Sequence, residues 1–123
     1  MKRKPSGRMR KVDELLREVV AEEVALLKDP RIGFVTITGV ETSPDLRSAR
    51  VFYSVLGDQQ QREDTQEGLD HAAPRIQSRL GHQVRLKYVP RLRFVVDESV
   101  ERGMRITALL RNLEADGEGE TDG

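Results

Sequence analysis

Three carboxylates in the C-terminal third, Asp97, Glu98 and Glu101, come nearest to a set that could do chemistry. Acids at this spacing could hold a divalent ion in a metal-dependent ribonuclease. They also suit the first turn of a helix, where side-chain oxygens cap free amides and negative charge meets the helix dipole. The capping reading is much the stronger. The two histidines, His71 and His82, show neither an H-x-E nor an H-E-x-x-H spacing. No serine has a histidine at a recognisable motif distance, and no phosphate-binding glycine loop or dinucleotide fingerprint occurs. Cysteine is absent, which excludes thiolate metal sites and disulfides. The expectation is a protein without catalysis, cofactor, metal or small-molecule substrate.

Arginine offers a better lead. Lysine and arginine number 21, balanced by 21 acids, yet the charges are segregated along the chain. Residues 1–11 hold Lys2, Arg3, Lys4, Arg8, Arg10 and Lys11 and no acid, whereas residues 114–123 hold five acids and no base. Residues 75–113 carry nine bases against three acids. Sixteen of the 21 bases are arginine, whose planar fork matches phosphate and stacks on bases. Clustered cations of this kind bind nucleic-acid backbones through charge and counterion release. The candidates are the N-terminal group Lys4, Arg8, Arg10 and Lys11, then Arg75 and Arg79, and the set Arg85, Lys87, Arg91 and Arg93. A solvated charged surface is the plain alternative.

The elements that must position these residues follow from periodicity. Met9, Val12, Leu16, Val20, Val24 and Leu27 recur at three and four, which predicts a helix over about 8–28 with Leu15, Val19 and Leu26 widening its apolar stripe. Asp29-Pro30 ends it. Phe34–Glu41 and Arg47–Leu56 read as strands joined at Ser43-Pro44-Asp45 into an antiparallel hairpin. Helical spacing returns over about 59–80, with Pro74 inside it. An interior proline costs roughly 3 kcal/mol, so two helices meeting in a kink at Ala72-Ala73-Pro74 are predicted, the second capped by Gly81. Val84–Val96 alternates as a third strand, with Pro90 at a bulge or edge. A last helix should start near Glu98 and carry Val100, Met104, Leu109, Leu110 and Leu113.

This order predicts an α+β domain in which helices cover one face of a three-stranded sheet, the arrangement of a KH-like (type II) domain. The G-x-x-G loop with which KH domains clamp RNA is missing. Most of the five aromatics look placed to fill the core, so exposed stacking platforms are not expected. Recognition of folded RNA by shape and phosphate, with little readout of sequence, is the mode that remains.

Two stretches add a family resemblance. Lys28-Asp29-Pro30-Arg31-Ile32-Gly33-Phe34-Val35-Thr36-Ile37-Thr38 with Val51-Phe52-Tyr53, and Val89-Pro90-Arg91-Leu92-Arg93-Phe94-Val95-Val96-Asp97-Glu98-Ser99 continuing through Glu101-Arg102-Gly103-Met104-Arg105-Ile106, resemble ribosome-binding factor A. The likeness runs over roughly residues 5–113. It implies a KH-like fold with an Ala-x-Gly kink in place of the G-x-x-G loop. Here Ala72-Ala73-Pro74 stands at that place, with proline where glycine is usual. It also implies a non-catalytic factor that binds 16S rRNA in the free 30S subunit, assists late maturation and 5′ end processing of that RNA, and supports growth in the cold. The RNA-facing residues it points to are Arg75, Arg79, Arg85, Lys87, Arg91 and Arg93, with Lys4, Arg8, Arg10 and Lys11 as a weaker group.

The expected organisation is a basic flexible N-terminus over 1–7, one RNA-binding domain over 8–113 and an acidic disordered tail over 114–123. Nothing approaches the roughly 18 consecutive apolar residues of a membrane span, and no apolar segment follows the basic start as a signal peptide requires. A cytoplasmic monomer is expected. The rival reading is an adaptor for a ribosomal protein or an assembly GTPase.

Overall fold

Ser6 opens the first helix, its hydroxyl accepting from the Met9 amide at 3.2 Å and so meeting one of the donors a helix start leaves free. A computed structural model describes residues 5–121; Lys2, Arg3 and Lys4 lie outside the described residues. Helix α1 covers Gly7–Ala25 and ends at Leu26, whose N–H turns back to the Glu23 and Val24 carbonyls. It stops short of the predicted Lys28 because the chain must leave the helix before the Asp29-Pro30 corner. Met9, Val12, Leu16, Val19, Val20 and Val24 are buried as one stripe, whereas Leu15 and Leu26 are exposed.

The hairpin forms as predicted. Strands β1 (Val35–Thr42) and β2 (Ser48–Val55) pair antiparallel, with a register shift between Ile37 and Gly39. Strand β3 is shorter than its alternating pattern, covering Arg91–Val96 and pairing parallel to β2 at the sheet edge. Residues 85–90 form a loop. Val84 instead caps the preceding helix in an extended conformation, and Pro90 is fully buried. Proline has no amide to offer the ladder, so pairing starts after it.

Parallel pairing of β2 and β3 requires a crossover, and helix α2 (Gln59–Gln83) supplies it. Asp58 and Gln61 close a reciprocal capping box at its start. The two helices predicted to meet at Ala72-Ala73-Pro74 are one unbroken helical run, and Gly81 lies inside it rather than capping it. Pro74 faces solvent, so the Asp70 carbonyl it cannot serve is not sealed in a dry core. Leu69, Ala72, Ile76 and Leu80 bury on both sides of the proline against one core, which holds the two halves in register. A proline within a continuous helix still favours a bend there.

The core lies between α1, α2 and one sheet face, where Ile37, Val40, Val51, Tyr53, Leu92 and Phe94 meet the two helices. Arg50, Phe52 and Arg93 point to the other face. Helix α3 (Glu98–Thr121) does not join this layer: every residue from Arg102 to Glu114 is exposed. It also continues to Thr121, through most of the segment where composition predicts disorder.

Candidate nucleic-acid interface

Two of the three carboxylates that could do chemistry, Asp97 and Glu101, have structural partners. Asp97 caps α3, its Oδ1 accepting from the Ser99 hydroxyl at 2.7 Å and from the Ser99 and Val100 amides. Its Oδ2 accepts from Thr38 at 2.6 Å, which ties the helix start to β1. These bonds, that from Thr38 foremost, hold the Asp97 carboxyl below its ordinary pKa. Glu101 is buried against Arg62, 3.1 Å away. Among the described residues no three acidic, histidine or cysteine side chains are placed to hold a metal ion.

Arg79 does not stand free. Its Nε lies 2.5 Å from Glu23 Oε2, and Gln83 donates to the other oxygen of that carboxylate. Glu23 is 5% exposed, so Arg79 joins α2 to α1 by neutralising a buried charge. No sequence motif reveals this pair, because its partners are 56 residues apart. Arg75, four residues earlier, is exposed beside Lys28, Arg31 and His71 in a cleft of about 670 Å³. Arg31 in that cleft is held by Asp29 at 2.7 Å and approaches Glu67 at 3.5 Å. The hydrogen bonds from Arg31 pull the Asp29 carboxyl down to about 2.

A second basic group gathers at one end of the sheet. Asp13 in α1 accepts from the Thr42 amide and hydroxyl at 2.9 and 2.7 Å, fixing the first turns of α1 at the end of β1. The hairpin turn follows, and the Arg91 amide donates to the Arg47 carbonyl at 2.8 Å, bringing the entrance of β3 to the same place. The elements that carry Arg8, Arg10 and Lys11 (α1), Lys87 (the loop) and Arg91 (the entrance of β3) therefore meet at this end. Arg85 is exposed on the same loop. Arg93 lies further along β3, in register with Arg50 on the open sheet face. Among the described residues none of Arg8, Arg10, Lys11, Arg75, Arg85, Lys87, Arg91 and Arg93 makes an ion pair. The predicted set is thus divided between the Arg75 cleft and the hairpin end, with Arg79 committed to Glu23.

Sequence reading missed Arg47. Its guanidinium sits 4.4 Å from the centre of the Tyr88 ring, with the Lys87 ammonium 5.5 Å from the same ring. Leu46 just before it takes a left-handed conformation, φ 59°, which costs a residue with a side chain about 1–2 kcal/mol. The aromatic expectation also needs correction. Only Tyr53 and Phe94 fill the core; Phe34 is 82% and Tyr88 45% exposed, and Phe52 is half-buried on the open sheet face. Alternation assigns a face within a strand, but Phe34 and Tyr88 lie in connections, where no period applies.

With this geometry in place, comparison with known proteins is informative. Residues 8–110 match the family model of ribosome-binding factor A. A Rubrobacter xylanophilus protein of that name is 51% identical over 117 residues, spanning 92% of this chain and 93% of its own. The crystal structure of ribosome-binding factor A from Thermus thermophilus superposes with a TM-score of 0.65 at 27% identity, over 72% of this chain and 94% of that one. A Thermus thermophilus ribosome-binding factor A homology model, fitted into a cryo-EM map of its 30S complex, gives a TM-score of 0.58 at 29% identity, over 68% and 88% of the two chains.

Proposed function

This chain belongs to the ribosome-binding factor A family, and from that premise we propose that it binds 16S rRNA in the free 30S subunit and assists late maturation and 5′ end processing of that RNA. The observation that carries this reading is the meeting of the start of α1, the hairpin turn and the loop before β3, elements whose cations Arg8, Arg10, Lys11, Lys87 and Arg91 make no ion pair among the described residues. Phosphates that settle there displace counterions, giving affinity that falls steeply with salt. Arg75 beside Pro74 supplies a second contact region, at the place where related folds carry their RNA-binding loop. The chain works without cofactor or reaction of its own, as a cytoplasmic monomer, and cutting of the RNA falls to separate nucleases. Among the described residues no helix is long and apolar enough to cross a membrane. A role in adaptation to cold belongs to the same proposal.

Sedimentation of the purified protein with isolated small subunits and with complete ribosomes, at low and moderate salt, tests this. Binding to the free subunit alone supports a maturation factor whose site closes on subunit joining. Equal binding to both, or to neither, rejects it.

One observation favours the adaptor reading. Ile106, Leu109, Leu110 and Leu113 form an apolar stripe on α3 and are 56–66% exposed. Treating the complex with ribonuclease separates the two, since loss of association requires RNA and persistence requires a protein partner.

A further inference from the structure

We propose that Tyr88 is a positioning residue that holds Arg47 and Lys87 as a preformed two-cation clamp for adjacent phosphates of an RNA backbone. The inference rests on the RNA-binding reading above and adds to it a residue outside the predicted set, together with the reason for its placement. Long basic side chains on a surface normally sample many rotamers, and each must be immobilised before it can hold a phosphate. An aromatic ring removes part of that loss, because its negative face attracts a cation within about 6 Å of the centroid. Both cations meet this condition here, Arg47 at 4.4 Å and Lys87 at 5.5 Å.

The surroundings leave the clamp charged and exposed. Asp45, the nearest acid along the chain, accepts through Oδ1 from the Ser43 hydroxyl at 2.6 Å and from the Arg47 backbone amide at 3.1 Å, and its charge also acts on the Arg47 guanidinium, though the two form no ion pair. Among the described residues neither Arg47 nor Lys87 makes an ion pair, and both are exposed. The backbone is fixed as well, since the Arg47 carbonyl accepts from the Arg91 amide and Leu46 holds a turn conformation that aims the following residue. Arg91 places a third cation beside the pair. Two positive groups held against one ring suit phosphates of a single strand. They do not read bases, which agrees with recognition by backbone and shape.

The test uses the full chain titrated with a folded RNA hairpin over a range of salt, comparing wild type with R47A, Y88L and Y88F. R47A should lower the slope of log affinity against log salt by about 0.7 to 0.9, the value of one phosphate contact. Y88L keeps the bulk but loses the ring, and should weaken binding roughly tenfold by freeing two side chains. Y88F keeps the ring and should bind like wild type. In the free protein, the Arg47 guanidinium protons should be shifted upfield by the ring in wild type and Y88F, and not in Y88L. The clamp is overturned if R47A leaves the slope unchanged, if Y88L binds as wild type does, or if Y88F is as weak as Y88L, which would assign the contact to the hydroxyl. Should Y88L lower the thermal midpoint, R47A at an exposed position still decides. Wild type that binds the hairpin while Y88L matches it rejects the clamp alone; wild type that binds neither hairpin nor small subunit rejects the RNA reading and the clamp with it.

Discussion

Replacing Arg79 with alanine separates folding from RNA binding at a residue that sequence assigns to RNA. Arg79 contacts Glu23 at 2.5 Å, and the carboxylate is almost wholly buried while the Arg79 side chain is 49% exposed. Breaking a fully buried pair costs about 3–5 kcal/mol by stranding a charge; an exposed pair contributes about 0–1 kcal/mol. This pair lies between the limits, since water reaches the arginine and Gln83 would remain as a neutral donor to Glu23. A loss of about 2 kcal/mol follows, which at this chain length lowers the thermal midpoint by about 8 °C. The salt slope of RNA binding should not change, because the Arg79 charge is already neutralised. R75A should do the opposite, leaving the midpoint within a degree or two and lowering the slope by about 0.7 to 0.9. The double variant E23Q/R79A should recover much of the lost stability by removing the stranded charge. Calorimetry and salt titration of the four proteins check this. An R79A protein as stable as wild type but with a lower salt slope would refute the reasoning and return Arg79 to the RNA surface.

Three further outcomes can be measured. A Cβ at Gly68 would lie 2.6 Å from Ile32 Cγ1, so G68A should force the loop before β1 off α2 and cost about 1–3 kcal/mol, read by denaturant unfolding. The Asp29 carboxyl titrates near 2 in the folded protein against an ordinary 3.8. Its depressed pKa stabilises the fold above about pH 4, and that contribution is lost as pH falls toward 2. D29N should therefore show a smaller acid-induced drop in midpoint than wild type over this window. Deleting residues 114–123 should leave the midpoint unchanged, because α3 is already exposed from Arg102 to Glu114, and should tighten RNA binding by removing a competing anion; a lower midpoint would show that the segment supports the fold.

The sequence by itself determined the elements and their order. Stripes spaced by three and four marked α1 and α2, alternation marked the hairpin, and Asp97 marked the start of α3, because these signals are local and repeat within a few residues. Local rules also produced the misreadings. Alternation ran on through Val84, Leu86 and Tyr88, although buried Pro90 begins the pairing only at Arg91. Pro74 implied two helices, yet a single core beneath both halves keeps the helix continuous. The last helix carries Met104, Leu109, Leu110 and Leu113 where the sequence places them, but nothing in the domain covers them.

Only the tertiary structure decided which cations are free. Arg75 and Arg79 stand one helical turn apart and look alike as letters, but one faces a cleft and the other neutralises Glu23 on α1. Arg47 shows no distinguishing mark until the fold sets it over Tyr88. A charge acquires its role from whatever lies within a few ångströms, and chain closure brings together groups that no short period in the sequence relates.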